Sequence, residues 1–377
     1  ANRGGAVFAF ERNGMGWSFD AMVTEDISAG IDPRCDFNGY CGVDYGISLA
    51  AEGDWVLVGH ANVTTDRSRL RPRQRTATDA VPNEPAGEVI AYRRGAEGWA
   101  EQQRFSSPVP TNADGFGAAI AFVGSRLLIG APGAESSTGI QGAGRVFEYQ
   151  MDDGTWQHSG ELVSDANTDA TFGAPIVATT SSPVRGVTGV VIGAPFDDQG
   201  VGAAFAFALD DSPNGWADPM RIALPNGQEG DVFGAAIAMS GEALWVGAPV
   251  TRGLETGVTY SLSEKGLSEF RFTEDETNNE DSFGHRIVAA EDLVAITASG
   301  LDHQAGGVFL YEKTSEGQWG HIQTLVSPPD QMGAVLGEEL RCQEDGAIEV
   351  FECTDVELYA YVPTSLLTAP EDARGVR

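Results

Sequence analysis

Five stretches of this chain repeat one order of residue types, and that order restricts the fold more than any other feature of the sequence. Each sets Phe-Gly or Tyr-Gly before a run of small apolar residues, makes a polar turn, and enters a second apolar run. The clearest copies read DGFGAAIAFVGSRLLIGAP from Asp114 and DVFGAAIAMSGEALWVGAP from Asp231, both closing on Gly-Ala-Pro. The others begin at Asp44 (DYGISLAAEGDWVLVGHAN), Ala170 (ATFGAPIVATTSSPVRGVTGVVIGAP) and Asp281 (DSFGHRIVAAEDLVAITAS). Their aromatic-Gly marks fall at residues 45, 116, 172, 233 and 283, a long and irregular spacing. Self-similarity on this scale points to a propeller or a solenoid.

Strand content decides between the two. Each unit contains four short β-type runs, here labelled A to D. A is the Phe-Gly run and B the run that ends near Gly-Ala-Pro. C alternates around aromatics, as in GRVFEYQ and GEVIAYRR, and D opens on an aromatic, as in TWQHSGELV, GWAEQQRF, GWADPMRI and QWGHIQTLV. Alternation in C and D suits half-buried strands, whereas A is built of Gly, Ala, Ile and Val. Small side chains suit the crowded centre of a propeller, so A is expected innermost, with the aromatics of C and D filling the wider space between blades. Gly at the end of B permits a bend, and Pro cannot donate to a continuing ladder.

The two ends of the chain complement each other. It begins with a C run (GGAVFAFER) and a D run (GWSFDAMV), and it ends with an A-like run, DQMGAVLGEELRC, and a B-like run, VELYAYVPTS. Met332 stands in the Phe position and Pro363 in the Pro position. The expected fold is therefore an all-β propeller, one domain over residues 1–377. It has six four-stranded blades, the last pairing residues 5–23 with residues 332–365. A closed ring leaves no exposed sheet edge to aggregate. The alternative is a ring of seven blades.

Phe-Gly followed by Gly-Ala-Pro resembles the FG-GAP repeat of the integrin alpha-subunit propeller and of many secreted proteins. The resemblance covers almost the whole chain, and it implies an extracellular propeller used in adhesion or assembly. Integrin propellers have seven blades where six are counted here. In calcium-binding repeats an Asp-x-Asp-x-Asp-Gly type loop joins A to B; the matching turns here read VGSR, SGEA, AEGD and AAED. The family's calcium sites are thus not expected, and no cofactor is required.

Charge narrows the partners. With 55 acidic and 23 basic side chains the formal net charge is −32, which repels nucleic-acid phosphates and anionic lipid heads. No uncharged apolar run reaches the length of a membrane-spanning helix. Cys35 with Cys41, and Cys342 with Cys353, form two local couples without Cys-x-x-Cys spacing or a nearby histidine. They read as short-range disulfides, and hence as signs of an oxidising compartment. Asn62 opens a glycosylation sequon, NVT.

Two groups of residues stand out as candidate sites. Asp114, Asp169, Asp231 and Asp281, with Asp44 and Asp330, recur just before the A runs. They serve either as turn acceptors of backbone N–H groups or as a ring of carboxylates that gathers calcium. Arg67, Arg69, Arg71, Arg73 and Arg75 alternate along DRSRLRPRQR in the connection from B to C of the first blade. Extended backbone places them on one side. They form either a solvated face or a docking arm for a protein partner, an acidic polysaccharide at the cell surface, or another copy. Catalytic motifs are missing: the five histidines lie in different units, and neither Gly-x-Ser-x-Gly nor His-Glu-x-x-His occurs. The expected role is an extracellular structural or adhesive module and not an enzyme. The alternative is a polysaccharide-active enzyme with its site at the channel mouth.

Overall fold

The computed structural model describes residues 6–13, 16–24, 44–61, 87–96, 98–110, 114–179, 188–212, 214–241, 243–250, 257–263, 266–271, 282–299 and 306–326. The two cysteine couples, Asn62, the five loop arginines, Asp281 and Asp330 lie outside them. Also outside is the stretch 332–365 expected to complete the last blade.

The described residues form an all-β protein of antiparallel sheets. β1 (Ala6–Asn13) and β2 (Gly16–Thr24) make a two-stranded sheet. The first four-stranded sheet follows the chain through β3 (Asp44–Glu52), β4 (Trp55–Ala61), β5 (Glu88–Gly95) and β6 (Gly98–Ser106). The second holds β7 (Ala119–Val123), β8 (Arg126–Ala131), β9 (Arg145–Asp152) and β10 (Thr155–Leu162), and the third β11 (Ile176–Thr179), β12 (Gly189–Ala194), β13 (Ala203–Ala208) and β14 (Met220–Ile222). The fourth holds β15 (Ala236–Ser240), β16 (Ala243–Ala248), β17 (Val258–Ser263) and β18 (Gly266–Arg271). The fifth holds β19 (Phe283–Ala289), β20 (Leu293–Ala298), β21 (Gly307–Lys313) and β22 (Trp319–Val326). In each four-stranded sheet the four runs A to D stand in sequence order, and the A strands β3, β7, β11, β15 and β19 touch one another in succession. That is the arrangement of propeller blades around their inner strands.

Faces alternate between neighbours, so one core lies in each seam. Leu57, Val89, Ala91 and Phe105 of the first blade pack against Phe116, Leu127, Ile129, Phe147 and Trp156 of the second. Leu128, Val146 and Leu162 of the second face Phe172, Val190, Ile192, Phe205 and Trp216 of the third. Successive residues of each B strand are thus buried in different seams, which is why these strands read as continuous apolar runs. The phenylalanine of each repeat lies on the third strand of its own blade: Phe116 on Phe147, Phe172 on Phe205, Phe283 on Phe309, at centroid distances of 5.8, 5.6 and 5.5 Å. Val7 and Val23 of the N-terminal hairpin join Tyr45, Val58, Ile90 and Tyr92 of the first blade in a core of the same kind. Arg94 ties that junction at its rim to Glu11 and Asp20.

The glycines of the repeat have a different use from the bend suggested by the sequence. Gly130 lies within β8, and a Cβ there would overlap the backbone carbonyl oxygen of Gly173, the Phe-Gly glycine of the next blade. Gly59 stands in the same relation to Gly117, Gly193 to Gly234, and Gly247 to Gly284. The glycine near the end of each of these B strands therefore receives the Phe-Gly turn of the next blade, backbone against backbone.

A buried carboxylate holds the third blade at its edge. Asp197 is fully buried; its Oδ1 accepts from Asn167 N and Nδ2 (2.8 and 3.0 Å), and its Oδ2 from Arg221 Nε and Nη2 (3.2 and 2.7 Å). Hydrogen bonds to a charged group contribute about 1.5–3 kcal/mol, so Asp197→Ala is expected to cost about 2–3 kcal/mol in urea unfolding. A change below about 0.5 kcal/mol would reduce the cluster to surface decoration. No helix among the described residues is long and apolar enough to cross a membrane.

Candidate ligand cleft

The seam between the second and third blades differs from the others in its chemistry. When the strands are aligned on the B-strand glycine, Thr297 in the fifth blade, and its cross-strand partner, the position of Glu148 is held by Ala91, Ala206, Ser261 and Leu310 in the other blades. The position of Arg126 is held by Trp55, Gly189, Ala243 and Leu293. One blade thus carries an ionic couple where its siblings carry small, apolar or aromatic residues. In the preceding seam the matching Trp55 meets Trp156 edge to face at 6.2 Å. Here the Arg126 guanidinium lies over Trp216, 5.5 Å from the ring centroid.

Glu148 is the centre of the arrangement. It is 4% exposed, and its Oε1 accepts from Arg126 Nη1 (2.5 Å), Gln150 Nε2 (2.8 Å) and Ser159 Oγ (3.1 Å). Its Oε2 accepts from Trp216 Nε1 (2.5 Å). A buried carboxylate is tolerable only with such a set of donors. Ser159 reaches it because the register between β9 and β10 shifts between His158 and Gly160, a bulge that re-aims the side chain.

The opposite wall is a turn braced by its own side chains. Asp210 Oδ1 accepts from Ser212 N (2.9 Å), Asn214 Oδ1 accepts from Trp216 N (3.1 Å), and Ser212 Oγ donates to Trp216 O (2.8 Å). Gly215 has φ +75, and a Cβ there would collide with the Arg126 guanidinium, so glycine is needed for the arginine to lie on Trp216. Between the two walls opens a cleft of about 320 Å³. Gln150, Glu161, Asp210 and Asn214 border it along with the couple. Burial pushes the Tyr149 phenol well above its usual range and Tyr311 up to about 12, so both stay protonated and take no part in proton exchange near neutrality.

Two of the aspartates singled out by position, Asp114 and Asp231, accept backbone N–H groups of their own turns. Asp114 and Asp231 are buried; Asp114 Oδ1 accepts from Phe116 N (3.0 Å) and Asp231 Oδ2 from Gln228 N (2.8 Å). Asp169 is exposed at φ 57, its carboxylate 2.5 Å from where a Cβ on Gly142 would stand. Among the described residues no group of three His, Cys, Asp or Glu side chains is placed to hold a metal ion. None of the residues first singled out that are described, Asp44, Asp114, Asp169 and Asp231, lines the cleft. A blade-by-blade comparison would have exposed Arg126 and Glu148, because each breaks its column of the repeat.

No protein-family model matches the sequence, and no curated protein does. Among solved structures the chain is similar to a point mutant of the lectin of Aleuria aurantia in complex with Fucα1-6GlcNAc, at 12% identity and a TM-score of 0.39, over 73% of this chain and 81% of that one. The same mutant in complex with α-methyl-L-fucoside gives 13% identity and a TM-score of 0.39, over 73% and 80%. A functionally unknown protein from Desulfotomaculum acetoxidans gives 10% and 0.45, over 85% and 77%. These likenesses are remote, and the functional reading below rests on the cleft.

Proposed function

We propose that this chain is an extracellular, non-catalytic binding module of the FG-GAP kind, a closed ring of six blades that engages a glycan or protein partner. The observation that carries the binding role is the cleft between the second and third blades, where an ionic couple interrupts an otherwise apolar seam. Rigid walls and converging donors and acceptors suit recognition. Gly160 borders the cleft with nothing within 4 Å of an added Cβ, so Gly160→Trp fills the space without crowding the fold. On glycan arrays and in partner capture from surface extracts, the full chain is expected to bind and this variant to lose that binding. A variant that binds like the parent overturns the assignment of the cleft.

Closure of the ring is supported by where apolar surface remains. Phe8 and Phe19 of the hairpin are 54% and 55% exposed, and Phe10 and Met22 are exposed beside them. Val288, Ile322 and Val326 of the fifth blade, and Ile47 and Leu49 of the first, are exposed as well. These are the blades that would flank a sixth, and the A-like and B-like runs in 332–365 are the chain's own means of covering them. Phe8→Asp is therefore expected to destabilise the full chain by more than about 2 kcal/mol. A change within about 0.5 kcal/mol, as at an open surface position, overturns the closure.

A further inference from the structure

We infer that the cleft between the second and third blades recognises an uncharged sugar, one or two rings in size, and discriminates against uronic and sulfated sugars. This rests on the binding role just proposed and names its ligand.

Size comes first. A volume of about 320 Å³ lies at the low end for small-molecule sites, about 300–1,000 Å³, which suits a short saccharide or a chain terminus. Polarity comes second. The walls hold a guanidinium and two carboxamides, and the hydroxyls of Ser159 and Ser212, whose protons go to Glu148 and Trp216 O, offer acceptor oxygens beside the carboxylates. Such planar, forked groups match pairs of neighbouring hydroxyls, each of which both donates and accepts. Trp216 is buried beneath Arg126 and so backs the cleft without offering a free face for stacking.

Charge decides the class. Glu148, Glu161 and Asp210 border the cleft, and the guanidiniums beside it are already engaged, Arg126 by Glu148 and Arg145 by Glu161 at 3.3 Å, so neither is left over for an anionic ligand. The chain as a whole carries −32. An anionic sugar would bring a further negative charge into this field, whereas hydroxyls bring none.

The test uses the full chain and isothermal titration with methyl glycosides of neutral hexoses, of a hexuronate and of a sulfated hexose. Neutral glycosides are expected to bind at least tenfold more tightly, with affinity changing less than about twofold between about 0.05 and 0.5 M salt, since no net charge is exchanged. Gly160→Trp should abolish that binding. Asp210→Asn keeps the acceptor for Ser212 but removes one negative charge, and is expected to narrow the discrimination against the hexuronate severalfold. Uronate or sulfate binding as tight as that of the neutral sugars overturns the ligand class while leaving the cleft a binding site. Failure of every saccharide, with a polypeptide captured at the cleft instead, overturns the inference and keeps the binding role. Failure of both overturns the two together.

Discussion

Gly130→Ala is expected to lower the stability of the full chain by about 3 kcal/mol, the upper end of the usual cost of overfilling a packed interior. The added methyl would overlap the carbonyl oxygen of Gly173, which is backbone and cannot rotate away. Relief requires the second and third blades to separate, and with them the core shared by Leu128, Val146, Phe172 and Ile192. Gly160→Ala is the matched control, because its Cβ meets nothing within 4 Å, and it should stay within about 0.5 kcal/mol of the parent. Urea unfolding of the two variants makes the comparison. Equal midpoints would show that the turn does not need its glycine seat.

Arg126→Leu should cost a similar amount, about 3–5 kcal/mol, since it leaves the Glu148 carboxylate buried without its cation. Adding Glu148→Gln is expected to recover most of that loss. The amide keeps an acceptor for Trp216 Nε1 and removes the uncompensated charge. The double variant should therefore unfold near the parent's midpoint yet bind no ligand, which separates the couple's role in recognition from any role in folding. If it unfolds as early as the single variant, the couple is needed for the seam itself.

Much of the architecture was legible because propeller blades write their order into the chain. The runs A to D appear in the described sheets in the order in which they were read, and the small residues of A mark the strands that adjoin one another. The aromatic opening of D was legible too, since Trp156 and Trp319 each reach an aromatic of the preceding blade, Trp55 and Trp245. The cleft was not legible from patterning. Arg126 and Glu148 are far apart in sequence terms and sit in strands whose periodicity they do not disturb, so only comparison among the blades distinguishes them. The glycines were recognised as special for an incomplete reason. Their local sequence suggests bending, while the contact that demands them comes from a turn in the next blade, as from Gly130 to Gly173.

The glycine seats also bear on what the seams can tolerate. Where two sheets are spaced by side chains alone, any change in side-chain volume alters their separation and, summed around a ring, its curvature. In this chain the separation is gauged by main-chain atoms, Gly59 with Gly117, Gly130 with Gly173, Gly193 with Gly234 and Gly247 with Gly284. Side chains further out along each seam are thereby released from setting the angle between blades. One seam can exchange a tryptophan pair for an arginine, a glutamate and an open cleft while its neighbours keep their apolar filling. A frame whose shape is independent of its filling can acquire a recognition site in any one seam without redesign of the rest.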